Sequence, residues 1–318
     1  MTVGVGPHLG LHRIVISEAN KPQENPVNAP AGSGDFALQV SGVSKRFTSR
    51  RRPPVLALDD VTINVRHGEF VSLLGPSGCG KSTVFNMVAG LIEPTDGTIV
   101  INGQNATGQA GYVGYMLQKD LLLPWRTILK NVTLGAQLLG RDVKAVEKEA
   151  RALFQRFGLE GFEDAWPANL SGGMRQRAAV MRTLLSGRDI LLLDEPFGAL
   201  DAMTRAAMQT WLLDIWKEFG STVVFVTHDI DEAVFLSDRI VVMGSRPGTV
   251  QLEVEVDIPR PRVSDDVATA ERRAAIKHQI LTVIHAQEDR LSADLGSEVT
   301  PRVAAPVVTK GASDGASS

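Results

Sequence analysis

Cysteine, aromatic residues and long apolar runs are all scarce in this chain of 318 residues. Cys79 is the only cysteine, which excludes a disulfide within the chain. Aromatic residues make up 5% of the sequence, too few for a base-stacking surface. The formal net charge of −3 supplies no global basic field, so nucleic acid is not expected as a main partner. No apolar run reaches the roughly 18 residues that a membrane-spanning helix needs, so any membrane role must come through a partner. Residues 1–20 lack an apolar core with basic flanks, and no signal peptide is read there. Internal repeats are also missing.

The most informative stretch present is Gly75-Pro76-Ser77-Gly78-Cys79-Gly80-Lys81-Ser82-Thr83, which fits G-x-x-x-x-G-K-[ST]. An apolar run of strand length, 69–74, precedes it, and a helical pattern over 84–91 follows. Glycines let the backbone curl around an anion, and a helix start adds free N–H donors at the positive end of its dipole. In such a loop Lys81 reaches the β- and γ-phosphates and the Ser82 hydroxyl coordinates Mg²⁺. The pattern therefore predicts a nucleoside triphosphate site.

Residues 1–34 are rich in Gly, Pro, Asn and Ser and are read as a disordered leader. Order is expected from Phe36, with strands over 36–40 and 43–47. A basic, proline-containing loop over 48–54 carries Arg50, Arg51 and Arg52; with Lys45 and Arg46 these read as a solvated face, or else as a patch for anionic lipid. Strand patterns recur at 56–65, 98–101, 112–117, 190–193, 222–226 and 239–243. Between them, 119–169 turns helical, with Val146, Ala150, Leu153, Phe154 and Phe157 on one face closed by Gly158. A second helical stripe, from Met208 to Phe219, includes Trp211 and Trp216 as core residues and stops at Gly220. Residues 270–287 predict one amphipathic helix built on Ile276, Ile280, Val283 and Ile284. The end of the chain, from about 297, reads as a disordered tail.

Two further motifs carry chemistry. Asp194 and Glu195 close an apolar strand, where one carboxylate can hold Mg²⁺ beside Ser82 and the next can take a proton from water. At residues 170–177, Leu-Ser-Gly-Gly-Met-Arg-Gln-Arg, two glycines after a serine lead into a helical segment and form another anion-accepting helix start.

On that last stretch the chain resembles the ATP-binding cassette (ABC) ATPases, whose signature is L-S-G-G-Q-x-[QR]-R, with Met174 standing where Gln is usual. Gln118 at a strand end, Ala199-Leu200-Asp201 after Glu195-Pro196, and His228 at a strand end follow at the family's spacing. The resemblance covers about residues 36–262. It implies an α/β P-loop NTPase with a mainly parallel core sheet, an N-terminal antiparallel β subdomain and an inserted α-helical subdomain. The domains expected are a leader over 1–34, a cassette over 35–262 with its helical subdomain at about 119–172, a helical extension over 263–295 and a tail over 296–318.

The resemblance also assigns roles. Phe47 stacks on adenine. The loop from Gly75 to Thr83, Cys79 included, holds the phosphates of ATP. Ser82, Gln118 and Asp194 bind Mg²⁺, Glu195 is the general base, and His228, Gln118 and Lys81 act at the reacting phosphate. Ser171, Gly172 and Gly173 complete the site of a second subunit, with Asp201 near the seam, so that two ATP molecules lie in a head-to-tail homodimer.

The segment 118–126, with Leu-Leu-Pro-Trp, and the segments 245–248 and 259–262 resemble the importer ATPases of the nitrate, sulfonate and taurine group. That implies integral membrane permease subunits as partners, an extracytoplasmic solute-binding protein reached indirectly, and a peripheral place on the cytoplasmic face of the membrane. Leu121, Leu122, Leu123 and Trp125 are then candidates for docking the permease, or else pack within the helical subdomain. An exporter ATPase, or a soluble ABC protein acting on nucleic acid or ribosomes, stays open as an alternative. Cys79, beside Lys81 and a helix start, is expected either to have a lowered thiol pKa, so that alkylation blocks ATPase activity and Mg-ATP protects, or to be an inert filler.

Overall fold

A computed structural model describes residues 35–49, 52–260, 262 and 267–297; the expected leader, Arg50, Arg51 and the tail beyond 297 lie outside them. The elements run β1 (Phe36–Ser49), β2 (Arg52–Arg66), β3 (Phe70–Leu74), α1 (Lys81–Val88), β4 (Asp96–Ile101), β5 (Gln104–Asn105) and β6 (Gly114–Met116). The helices α2 (Ile128–Val132), α3 (Leu134–Leu138), α4 (Val143–Leu153) and α5 (Gly172–Leu184) follow, with a 3₁₀ turn over Pro167–Asn169. Then come β7 (Ile190–Asp194), α6 (Ala202–Phe219), β8 (Thr222–Thr227), α7 (Ile230–Leu236), β9 (Arg239–Met243), β10 (Val250–Glu255) and α8 (Val267–Ser297).

Two sheets form. One is antiparallel, in the order β2-β1-β4-β5, and the other runs β10-β9-β3-β8-β7-β6. In the second, every pairing from β9 to β6 is parallel and only β10 is antiparallel. The strands β3, β7, β8 and β9 are buried along their whole length, which is why they read as unbroken apolar runs rather than as alternation. The α/β architecture with its separate antiparallel sheet is the one the resemblance implies.

Several boundaries differ from the sequence reading. Of the expected loop over 48–54, the described residues are strand instead, with Ser49 of β1 paired to Arg52 of β2. Pro53 and Pro54 lie in β2 because β2 is an edge strand, where a missing N–H interrupts no ladder. Helix α1 starts three residues earlier than its apolar pattern, directly at Lys81, and gives way at Ala89. A Cβ on Gly90, at φ +71°, would lie 2.1 Å from the Gln109 carbonyl oxygen, so only glycine fits the exit. In α4 the Asp142 side chain accepts from the Lys144 and Ala145 amides, and the helix ends at Leu153. Phe154 and Phe157 are buried from beyond it. Helix α8 is longer than expected and takes in residues 296 and 297. Its Ile276, Ile280 and Ile284 pack against β9, β10 and α7.

The stretch 118–126 is irregular, not helical, because Asn131 supplies what a helix would otherwise provide. Fully buried, it accepts from the Leu123 amide at 2.7 Å and donates to the Leu123, Arg126 and Thr127 carbonyls at 3.1, 3.0 and 3.0 Å. Asn131→Ala leaves these groups without a partner and is expected to cost about 2–3 kcal/mol. Denaturant unfolding measures the cost, and limited proteolysis should show earlier cutting within 118–126.

Residues 259–262 also have a structural explanation. Arg262, buried, donates to the Val234 and Phe235 carbonyls at 2.7 and 2.9 Å and to Ile258 at 3.1 Å. Burial pushes this guanidinium down to about 10. Arg260 donates to the Leu236 carbonyl at 2.5 Å, pairs with Asp238 and lies 4.5 Å above the Trp216 ring. Together these arginines satisfy the open carbonyls at the end of α7.

Candidate nucleotide site

Because β3, β6, β7 and β8 run parallel, the residues that follow each of them come to the same edge of the sheet. These are the loop 75–83 after β3, Gln118 after β6, Asp194 and Glu195 at the end of β7, and His228 after β8. Of these, Ser77, Gly78, Gly80, Lys81, Ser82, Thr83, Gln118 and Glu195 line an open cleft of about 490 Å³, with Asp194 and His228 held against them by hydrogen-bond contacts. Val55, Leu56 and Ala57 of β2 form its apolar side.

The loop is held open from below. Gly78 and Gly80 take φ values of +79° and +103°. A Cβ on Gly75 would lie 2.7 Å from the Met243 carbonyl oxygen, and one on Gly80 would lie 2.5 Å from Leu58. Lys81, 6% exposed, donates to the Gly75 and Pro76 carbonyls at 2.6 and 3.0 Å, so its ammonium closes the loop on itself. Gly80 caps α1 without a side chain, which leaves the first amides of the helix open toward the cleft.

Asp194 is buried and accepts a hydrogen bond from Ser82. Burial, reinforced by the neighbouring Glu195 charge, raises its carboxyl above the ordinary range. The Tyr115 hydroxyl lies 3.5 Å from Asp194 Oδ2 and 3.3 Å from Asn86 Oδ1, and burial next to that carboxylate pushes the phenol up. Glu195 sits at φ +44°, a conformation uncommon for a side-chain-bearing residue, with its amide bonded to the Val226 carbonyl at 3.0 Å. The turn presents its carboxylate to two partners from distant segments. Glu195 Oε2 accepts from Gln118 Nε2 at 2.9 Å, and Oε1 lies 3.3 Å from His228 Nδ1.

Other expected site residues stand elsewhere. Phe47, 41% exposed, is at the rim, paired across the strands with the cleft residue Val55 and capped by Lys45 at 5.4 Å. Ser171 caps α5 by accepting from the Met174 amide at 3.3 Å, and Asp201 caps α6 by accepting from Thr204 at 3.0 Å. Hydrogen bonds from the Thr204 side chain first, and then from its amide, hold the Asp201 carboxyl below the usual range. A Cβ on Gly173 would touch Thr204 at 3.2 Å, so the starts of α5 and α6 lie side by side. Ser171, Gly172, Gly173 and Asp201 thus form a second group that contributes nothing to the cleft wall.

The lowered-pKa reading of Cys79 is overturned. Its thiol is 1% exposed, and burial raises its pKa although Lys81 pulls the other way. Iodoacetamide at pH 8 is expected to leave native ATPase activity intact and to modify Cys79 only in denaturant, which mass spectrometry of the two samples measures. Tyr115 and Asn86, beside the cleft, have no role in the sequence reading, and Arg246, in its wall, figures there only as part of the segment 245–248 that carries the importer resemblance. Tyr115 read as one more strand residue, and its partners are 29 and 79 positions away.

A phosphate loop between a buried strand and a helix, facing a carboxylate pair at the same sheet edge, defines the class: a P-loop nucleoside-triphosphate-binding protein. Residues 58–198 match the family described as ABC transporter. Over 239 residues the chain is 46% identical to the uncharacterized ABC transporter ATP-binding protein MJ0412 of Methanocaldococcus jannaschii, covering 75% of this chain and 89% of that one. It is 41% identical over 244 residues to the aliphatic sulfonates import ATP-binding protein SsuB of Bacillus cereus, covering 77% and 96%. The dimeric post-hydrolysis structure of the ATP-binding cassette MJ0796 bound to ADP and Pi superposes with a TM-score of 0.60 at 31% identity, covering 70% of this chain and all of that one. The chain belongs to the ABC transporter family and is an ATP-binding cassette ATPase.

Proposed function

We propose that this ATPase energises an importer of small sulfonate-like solutes, the group that also takes up nitrate and taurine, as a homodimer bound beneath integral membrane permease subunits. It lies on the cytoplasmic face of the membrane, and a solute-binding protein outside engages it only through the permease. The observation that carries this reading is the convergence of Gln118 and His228 on Glu195 beside the phosphate loop, with the Ser171 group held apart from the same cleft. One subunit thus offers half a pocket and, some distance away, what its partner needs.

Within the cleft, the loop amides and Lys81 hold the phosphates of ATP, and Phe47 at the rim covers the adenine. Ser82, Asp194 and the Gln118 carbonyl oxygen are hard oxygen donors suited to Mg²⁺, and the buried, hydrogen-bonded Asp194 fits a cation that restores its charge. When bound, the ion would neutralise negative charge on the phosphate chain. Glu195 takes a proton from the attacking water, held in place by Gln118 and His228. His228 meets the γ-phosphate. Ser171, Gly172 and Gly173 of the second copy close over the nucleotide at the start of α5, with Asp201 at the seam. Only the triphosphate spans both halves, so hydrolysis releases the closed state.

The cassette occupies 35–262, with its helical part at about 119–172 and an extension over 263–295 beside it. Leu121 and Trp125, 50% and 69% exposed, face outward for the permease, while Leu122 is buried and Leu123 half-buried in packing. The test is purification from membranes followed by reconstitution. Copurifying permease chains and ATPase activity stimulated by an aliphatic sulfonate with its binding protein are expected. Stimulation by unrelated solutes alone rejects the solute assignment.

A further inference from the structure

Arg246 stands in the nucleotide cleft without a partner for its charge. It follows β9 in the turn Ser245-Arg246-Pro247-Gly248 and lines the cleft together with Ser77, Gly78 and Lys81. Its Nε donates to the Gly78 carbonyl at 3.4 Å, and its Nη2 lies 3.1 Å from where a Cβ on Gly78 would sit. The bare glycine, at φ +79°, leaves the guanidinium room to rest on the phosphate loop. Among the described residues no carboxylate forms an ion pair with Arg246.

The turn that carries it is fixed. The Gly248 amide donates to the Ala57 carbonyl at 2.9 Å, and the Gly248 carbonyl accepts from the Asp59 amide at 3.0 Å. A Cβ on Gly248 would lie 2.0 Å from the Cys79 carbonyl oxygen, so the turn lies directly against the loop. The Gly244 amide completes the frame by bonding to the Thr249 carbonyl at 2.9 Å. An exposed arginine on a floppy loop would pay rotamer entropy for each contact it made. Here the backbone below the side chain is already locked between β2 and the phosphate loop.

We propose that Arg246 is a further nucleotide-binding residue, whose guanidinium contacts the phosphate chain of the ATP bound in its own subunit. The inference rests on the ATPase reading and deepens it. Lys81 already spends two hydrogen bonds on loop carbonyls, and a triphosphate carries more negative charge than one lysine and one divalent ion offset. A planar fork of N–H donors is suited to phosphate oxygens in a way that a lysine is not.

The test compares full-length wild type with Arg246→Met, which keeps the stem, and Arg246→Lys, which keeps the charge. Calorimetry measures ATP, with EDTA to prevent turnover, and adenosine as the probe without phosphates. Arg246→Met is expected to weaken ATP about tenfold and adenosine not at all, with Arg246→Lys in between and all three unfolding at the same temperature without nucleotide. Unchanged ATP affinity overturns the inference. So does an equal loss for ATP and adenosine, which would make Arg246 a support for the loop alone. Intact ATP affinity together with loss of the ATP dimer overturns it in favour of a contact to the second subunit. A wild type that fails to bind ATP at all removes the underlying reading, an outcome separable from the others.

Discussion

Glu195→Gln is expected to lower ATP hydrolysis by about 10²–10⁴-fold while ATP still binds, the range for loss of a positioned general base. The amide is isosteric with the carboxylate, keeps an oxygen to accept from Gln118 at its 2.9 Å position, and keeps the turn at φ +44°. What it removes is the capacity to take a proton. With turnover blocked and the triphosphate still present, the closed dimer should accumulate, because the ligand that favours it is never destroyed. Size exclusion with light scattering and phosphate release measure the two halves of this expectation. A variant that hydrolyses ATP at the wild-type rate removes Glu195 from its role. A variant that stays monomeric at saturating ATP removes the shared site.

Arg239→Met is expected to destabilise the protein by about 3–5 kcal/mol, the cost of breaking a buried ion pair from one side. Arg239, 8% exposed at the start of β9, bonds Glu69 Oε1 at 2.6 Å, the Asn64 carbonyl of β2 and Glu253 Oε2 of β10 at 3.4 Å. One side chain on β9 thereby ties the antiparallel sheet to β10 and to the residue that leads into β3. Its loss leaves the Glu69 carboxylate, itself buried, facing only the Arg66 amide and a distant Arg66 guanidinium. A fall in melting temperature of about 6–20 °C follows for a domain of this size. The double variant Arg239→Met with Glu69→Met is expected to recover most of the loss, since a buried pair adds little net stability over apolar substitutes. No recovery would show that Arg239 acts through the Asn64 carbonyl and Glu253 instead.

Elements whose cause is local were legible in the sequence. The phosphate loop, the buried strands β3, β7, β8 and β9, and the helix stripe of α6 with its αL cap at Gly220 each depend on residues a few positions apart. The signature segment was legible for the same reason: Ser171 caps its own helix. The readings that changed depended on neighbours far along the chain. Residues 119–126 read as helical, but beside the nearby Asn131 that holds their backbone, Arg175 and Arg182 of α5 anchor Asp120 and Leu121 from 55 or more positions away. The arginines of 259–262 carried a motif resemblance but close the end of α7.

By itself, then, the sequence determined that this chain has a phosphate loop, a carboxylate pair, a serine-glycine helix start and mostly buried strands between them, because periodicity and spacing encode local geometry. Only the tertiary structure decided that Gln118 and His228 both close on Glu195, that Arg246 rests on Gly78, and that the Cys79 thiol is shut away from solvent. The reason is physical: hydrogen-bond partners and burial arise from strands brought side by side across long loops, and no local pattern records which side chains will meet there.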